Sequence, residues 1–200
     1  MERGKGDFDT ALELQRKLVE MEPNSARYHN SLGDTLYNLE QYEKAIELEP
    51  EEASYYSDIS IIFRELGRYE DAMDTILKAI RLQPEMAWYH YEMGEIFQDM
   101  GMNQEALEKF EMAIELEPDE AWYYAMKADV FNDMEKYDEA LLASTKALDM
   151  EPGITWYYLL QAKILANLER YDDAIAECEK GIKVQPEKTD VFEAGFLCTS

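Results

Sequence analysis

Five prolines stand at equal intervals. Pro50, Pro84, Pro118, Pro152 and Pro186 follow one another at a constant step of thirty-four. A period of this length constrains the fold more than any other feature, because one short unit cannot bury its own apolar face and must stack on its neighbours. Each proline closes a stretch with helical spacing, such as "NQEALEKFEMAIELEP". Proline lacks an N–H and clashes with the preceding turn, and it pushes the residue before it out of the α region, so each marks a helix end. A second break falls midway, at "ELGRY", "DMGMN", "DMEKY" and "NLERY". The unit is a pair of antiparallel helices joined by a short turn, where Gly67 and Gly101 suit a left-handed backbone.

The same positions carry a family resemblance. One unit reads His90-x₂-Met93-Gly94-x₂-Phe97, then Ala106-x₃-Phe110, Ala113 and Pro118. This resembles the tetratricopeptide repeat, whose signature is W-x₂-L-G-x₂-Y…A-x₃-F…P. Other units repeat it with Tyr56, Ile59, Ser60, Phe63, Ala72, Ala79 and Pro84; with Tyr124, Ala128, Phe131, Ala140, Ala147 and Pro152; and with Tyr158, Ala162, Leu165, Ala174, Gly181 and Pro186. Small residues at fixed places let two helix backbones approach closely. Lys127 and Gln161 depart from the pattern, which wants leucine there. The resemblance implies an all-α fold, a right-handed α-solenoid superhelix of antiparallel helix pairs, one pair to each period.

On this reading residues 1–200 form a single solenoid, with a half repeat at 6–23, a shortened repeat at 26–52, and full repeats at 53–86, 87–120, 121–154 and 155–188. Residues 189–200 begin a further helix or a tail. The step from Pro23 to Pro50 is seven short of the period, and seven positions are close to two helical turns. A stunted second helix and a local packing defect are expected near 42–50, as a tolerated deletion or a hinge. Neither end shows an obvious polar cap, so the chain reads as a module of a longer array or one whose open ends pair with another copy.

Charge narrows the partners. With 19 Lys+Arg against 44 Asp+Glu the chain carries −25. Phosphate backbones and anionic membranes are held through surplus cations, so neither nucleic acid nor a membrane surface is an expected partner, and a basic protein or peptide is. The polar start "MERGKGDFDT" lacks a signal-peptide core and no run of eighteen apolar residues occurs, which reads as a cytoplasmic chain.

Catalytic chemistry is missing from the pattern. The two histidines, His29 and His90, occupy equivalent ring positions and suit no zinc spacing. Cys178 takes a core place, and Cys198 lies in the tail. No phosphate loop or calcium loop is present. The sequence points away from an enzyme and to no metal or cofactor.

Three tryptophans remain, in "MAWYH", "EAWYY" and "ITWYY", and they keep the period of the prolines. The signature ring is held by His29, Tyr56, His90, Tyr124 and Tyr158, and each tryptophan stands two residues earlier. Two residues turn a helix by about 200°, so the tryptophans point away from the partner helix. In the family, first helices line a concave groove that holds ligands. The resemblance puts Trp88, Tyr91, Glu92, Glu95 and Asp99 on that face, followed by Trp122, Met126, Asp129 and Asp133, then Trp156, Leu160, Lys163 and Asn167. Earlier units offer Asn30, Asp34, Asn38, Asp58, Arg64 and Glu65. With helices about 8–10 Å apart, successive rings would stand on the order of 10 Å from each other. Seam packing between units fits the period equally well, and Tyr28, Tyr55, Tyr89, Tyr123 and Tyr157 are expected in that seam. Two roles follow: a scaffold binding a basic, partly apolar peptide or helix in an acidic, aromatic-edged groove, or a module that self-assembles into homo-oligomers through its ends.

Overall fold

The computed structural model describes residue 42 and residues 44–184, and all regular structure among them is helical. The half unit at 6–23, most of the shortened unit and residues 189–200 lie outside the described residues, as do Tyr28, His29, Asn30, Asp34, Asn38 and Cys198. Of the expected short helix, Tyr42 and residues 44–48 are helical, and the helix stops where the Glu49 N–H still reaches the Ala45 carbonyl at 2.8 Å.

Eight further helices follow among the described residues: α1 Ala53–Glu65, α2 Tyr69–Leu82, α3 Ala87–Asp99, α4 Asn103–Leu116, α5 Ala121–Asp133, α6 Tyr137–Met150, α7 Thr155–Asn167 and α8 Tyr171–Val184. α2, α4 and α6 each end two residues before a proline, as the loss of an N–H and the restriction on the preceding residue require. The chain forms two compact units, Met1–Ile96 and Phe97–Ser200. In the first, α1 packs on α2. In the second, α5 packs on α6 and α7 on α8, while α4 meets α5 and α6 meets α7.

The turn within each pair has one geometry. Gly67, Gly101, Glu135 and Glu169 all sit at positive φ, between 59° and 73°. Just after each, an N–H reaches back five residues: Arg68 to Phe63, Met102 to Phe97, Lys136 to Phe131 and Arg170 to Leu165, at 2.8–2.9 Å. This closes the helix through a left-handed residue. Glycine takes that conformation freely, whereas the two glutamates adopt it against their Cβ.

The turn between pairs is tied by the signature ring. The hydroxyls of Tyr56, Tyr124 and Tyr158 donate to the carbonyls of Pro50, Pro118 and Pro152 at 2.9, 3.1 and 3.0 Å. His90 does the same with Nε2 to Pro84 O at 2.8 Å. Because a carbonyl only accepts, Nε2 carries the proton, and the buried Nδ1 has no hydrogen-bond partner.

Alanines fill the close approaches. Ala53, Ala72 and Ala79 in the first unit and Ala121, Ala140 and Ala147 in the second have no exposed surface. In the second unit Tyr157, Leu160 and Ile164 join the alanine core of the α5–α6 pair. Ala162, Leu165, Ala174 and Cys178 form the core between α7 and α8. The two departures from the leucine pattern are also periodic. Lys127 Nζ pairs with Glu111 Oε1 at 2.7 Å, and Gln161 Nε2 donates to Thr145 Oγ1 at 2.8 Å. Both members of the second pair lie one full period beyond those of the first, so a polar contact replaces an apolar one at the same place on successive seams.

Candidate interaction face

Each tryptophan stands at the second position of its helix. In α5 the opening is capped by Glu120, whose carboxylate accepts the Trp122 N–H at 3.2 Å. From there Trp122, Met126, Asp129 and Asp133 follow at i, i+4, i+7 and i+11, one stripe of the helix. Trp156, Leu160, Lys163 and Asn167 form the same stripe on α7.

In the second unit the rings of Trp122 and Trp156 lie 5.0 Å apart, tilted by 35°. This is closer than the spacing of packed helix axes implies, because the two side chains lean across the seam onto each other. Both also touch the Tyr157 ring, at 6.4 and 5.8 Å. The pair is half-buried against the alanine core, so it seals the seam and keeps one side in water. Met126 and Leu160 are buried below it. Tyr123 and Tyr157 are buried, and Tyr157 packs across the seam into the alanine core of the α5–α6 pair. Burial, followed by Glu117 and Glu120, pushes the Tyr123 hydroxyl far up. Burial, followed by Glu151 and Glu120, pushes Tyr157 up to about 12. Both are neutral phenols.

Further along the stripe the charges answer one another. Lys163 Nζ lies 3.2 Å from Asp129 Oδ1 and 3.9 Å from Asp133 Oδ1. Gln98 Nε2 donates to the other oxygen of each carboxylate, at 3.2 and 3.5 Å. Asn167 donates to the buried Asn132 at 2.7 Å. Two carboxylates and one ammonium leave this cluster one negative charge. Asp99 is exposed at the end of α3.

The first unit presents a different arrangement. Trp88 is 43% exposed and its ring tilts against the buried Tyr91, with centroids 5.0 Å apart. Its indole N–H donates to Glu92 Oε1 at 2.9 Å, and the Ser57 hydroxyl donates to Oε2 at 2.6 Å. Glu92 is only 2% exposed. Burial pushes its carboxyl up to about 7; the bonds from Ser57 and Trp88 pull the other way, and Glu95 and Asp58 add to the rise. Glu95 pairs with Arg64 at 3.1 Å.

Gln98, Asn132 and Ser57 are the residues sequence reasoning passed over. Their bonds span 31 or 35 residues, close to the period and not equal to it. Polar side chains within one helical turn either side of the period are the signal that points to them.

Comparison with known proteins agrees with this architecture. Residues 2–49 match a family model described as tetratricopeptide repeat, residues 62–101 match one described as TPR repeat, and 123–154 and 157–188 match a third, again tetratricopeptide repeat. No curated protein sequence matches at a significant level. Among solved structures, TTC0263, a thermophilic TPR protein of Thermus thermophilus, is similar at 16% identity and a TM-score of 0.71, over 94% of this chain and 97% of that one. MamA residues 41 to the end, from Desulfovibrio magneticus RS-1, is 16% identical with a TM-score of 0.66, over 90% and 98% of the two chains. YrrB, described as a TPR protein with an unusual peptide-binding site, is 21% identical with a TM-score of 0.63, over 92% and 99%. At these identities the likeness is one of fold. The recurring ring-to-proline tie, the left-handed turns and the matched family models lead to one statement: the chain belongs to the tetratricopeptide repeat family.

Proposed function

We propose that this protein is a protein-interaction scaffold, not an enzyme, whose second unit receives a basic, partly apolar peptide along the stripes of α5 and α7. The observation that carries the reading is the Trp122–Trp156 pair, a half-buried apolar shelf on the same stripes as Asp129 and Asp133. At about 1.5 Å per helical residue, Asp129 stands about 10 Å and Asp133 about 16 Å beyond Trp122. An extended peptide advances about 3.3 Å per residue, so a matching partner places a cation about three to five residues from its apolar anchor. The YrrB structure's peptide-binding site and the acidity of the whole chain support this reading. Among the described residues no three of His, Cys, Asp and Glu are placed to hold a metal ion, and no helix is long and apolar enough to cross a membrane.

The test is a titration with short lysine- or arginine-rich leucine peptides, followed by tryptophan emission. Trp122→Ala and the more conservative Asp133→Asn should each weaken binding, and salt should weaken it further as exposed charges are screened. Unchanged affinity in both variants defeats the proposal.

A second reading, self-assembly, is favoured by α8. Tyr171, Ile175 and Ile182 are exposed there, while Leu141 and Leu148, one period before the two isoleucines, pack against the core. Concentration-independent monomeric mass in light scattering excludes it.

A further inference from the structure

Within the second unit the first-helix columns lose their negative charge at α7, and one of them reverses it. One column passes from Asp129 to Lys163 and its neighbour from Asp133 to Asn167, each a step of one period. The face proposed to receive a partner's cation therefore already holds one. Lys163 Nζ takes the Oδ1 side of Asp129 and Asp133, at 3.2 and 3.9 Å, while Gln98 takes the Oδ2 side of both.

From this geometry we infer that Lys163 is an internal competitor of the partner, occupying the carboxylate seat until a stronger cation displaces it, and that the preferred cation is arginine. The inference rests on the peptide-binding reading above. Displacement is cheap because Lys163 is itself 42% exposed, and an ion pair in that setting contributes little once side-chain entropy and screening are counted. Its ammonium is a single strongly hydrated point on a flexible stem. A guanidinium is planar and less hydrated, and it presents paired N–H donors that match carboxylate oxygens. Arginine therefore gains bonds that lysine cannot, whereas an incoming lysine only exchanges one ammonium for another. The Trp122–Trp156 shelf adds apolar area for the partner's neighbouring side chain and does not depend on which cation binds.

The experiment compares two acetylated hexapeptides, alternating Leu-Arg and alternating Leu-Lys, on the full chain and on Lys163→Gln, Asp133→Asn and Trp122→Ala, with circular dichroism confirming that each variant is folded. The expected result is tighter binding of the arginine peptide by the unaltered chain. Lys163→Gln should tighten both peptides by about two- to fivefold, the range that the loss of an exposed ion pair corresponds to. Both peptides displace the same ammonium, so the gain should be equal for the two and the preference for arginine should persist. If Asp133→Asn and Trp122→Ala weaken binding while Lys163→Gln changes nothing, Lys163 is only a tie between helices and the inference is overturned. If neither peptide binds, or Asp133→Asn and Trp122→Ala change nothing, the peptide-binding reading fails and the inference falls with it.

Discussion

Glu92→Gln isolates the cost of holding a carboxyl among buried side chains. Glu92 is 2% exposed, and its carboxyl is pushed from the ordinary 4.5 up to about 7, chiefly by burial. Each tenfold change in proton affinity corresponds to about 1.36 kcal/mol, so the full difference is on the order of 3 kcal/mol. Because the folded-state value is the higher one, the folded chain binds the proton more tightly than the unfolded chain. The Glu92 contribution to stability is greatest below about pH 4.5, falls as pH rises towards 7, and levels off above it. Integrated over these two values, Glu92 costs the fold on the order of 2 to 3 kcal/mol between about pH 5 and pH 8. Glutamine has a matching shape: its carbonyl accepts the Trp88 N–H and its amide donates to Ser57. It carries no charge to desolvate. Urea unfolding followed by circular dichroism should show Glu92→Gln gaining on the order of 2 to 3 kcal/mol on the unaltered chain over the same pH interval. Added salt should remove little of this, since burial is the leading cause and Asp58 and Glu95 contribute less. A gap between the two proteins that stays constant with pH would refute the reasoning, because Glu92 would then titrate as an exposed acid does.

Two further outcomes follow from the turns. Glu135→Gly and Glu169→Gly relieve a left-handed backbone that Gly67 and Gly101 already adopt without strain, and each should raise stability by about 1 kcal/mol in thermal or chemical unfolding. A loss of stability in both would show that the glutamate side chains contribute more than their backbone costs. His90→Phe removes the bond to the Pro84 carbonyl and should cost about 1 kcal/mol, whereas His90→Tyr restores the arrangement of Tyr56, Tyr124 and Tyr158 and should recover it. Equal stability of the phenylalanine and tyrosine variants would show that the tie contributes nothing.

The architecture was readable because the physics that sets it is local. A proline ends a helix wherever it stands, and alanines spaced along a helix admit a second backbone whatever surrounds them. The left-handed turn was legible at Gly67 and Gly101 and hidden at Glu135 and Glu169, where the fold imposes a conformation that the residue does not announce. Lys127 and Gln161 looked like lapses in the pattern. They became intelligible only with Glu111 and Thr145 beside them, sixteen residues earlier in each case.

For the candidate face the division is sharper. The register alone put Trp88, Trp122 and Trp156 opposite the signature ring, the first two on a stripe with acids and the third on a stripe with Lys163. It could not determine that Trp122 and Trp156 meet at 5.0 Å while Trp88 stands exposed against Tyr91, nor that Glu92 is closed off from water while Asp133 is not. A repeat copies backbone positions once per period, so the order of residues decides which of them recur on a face. Which side chains touch depends on how each rotamer crosses to the neighbouring helix, at separations such as 31 and 35 that no single period contains, and only packing in three dimensions selects among them.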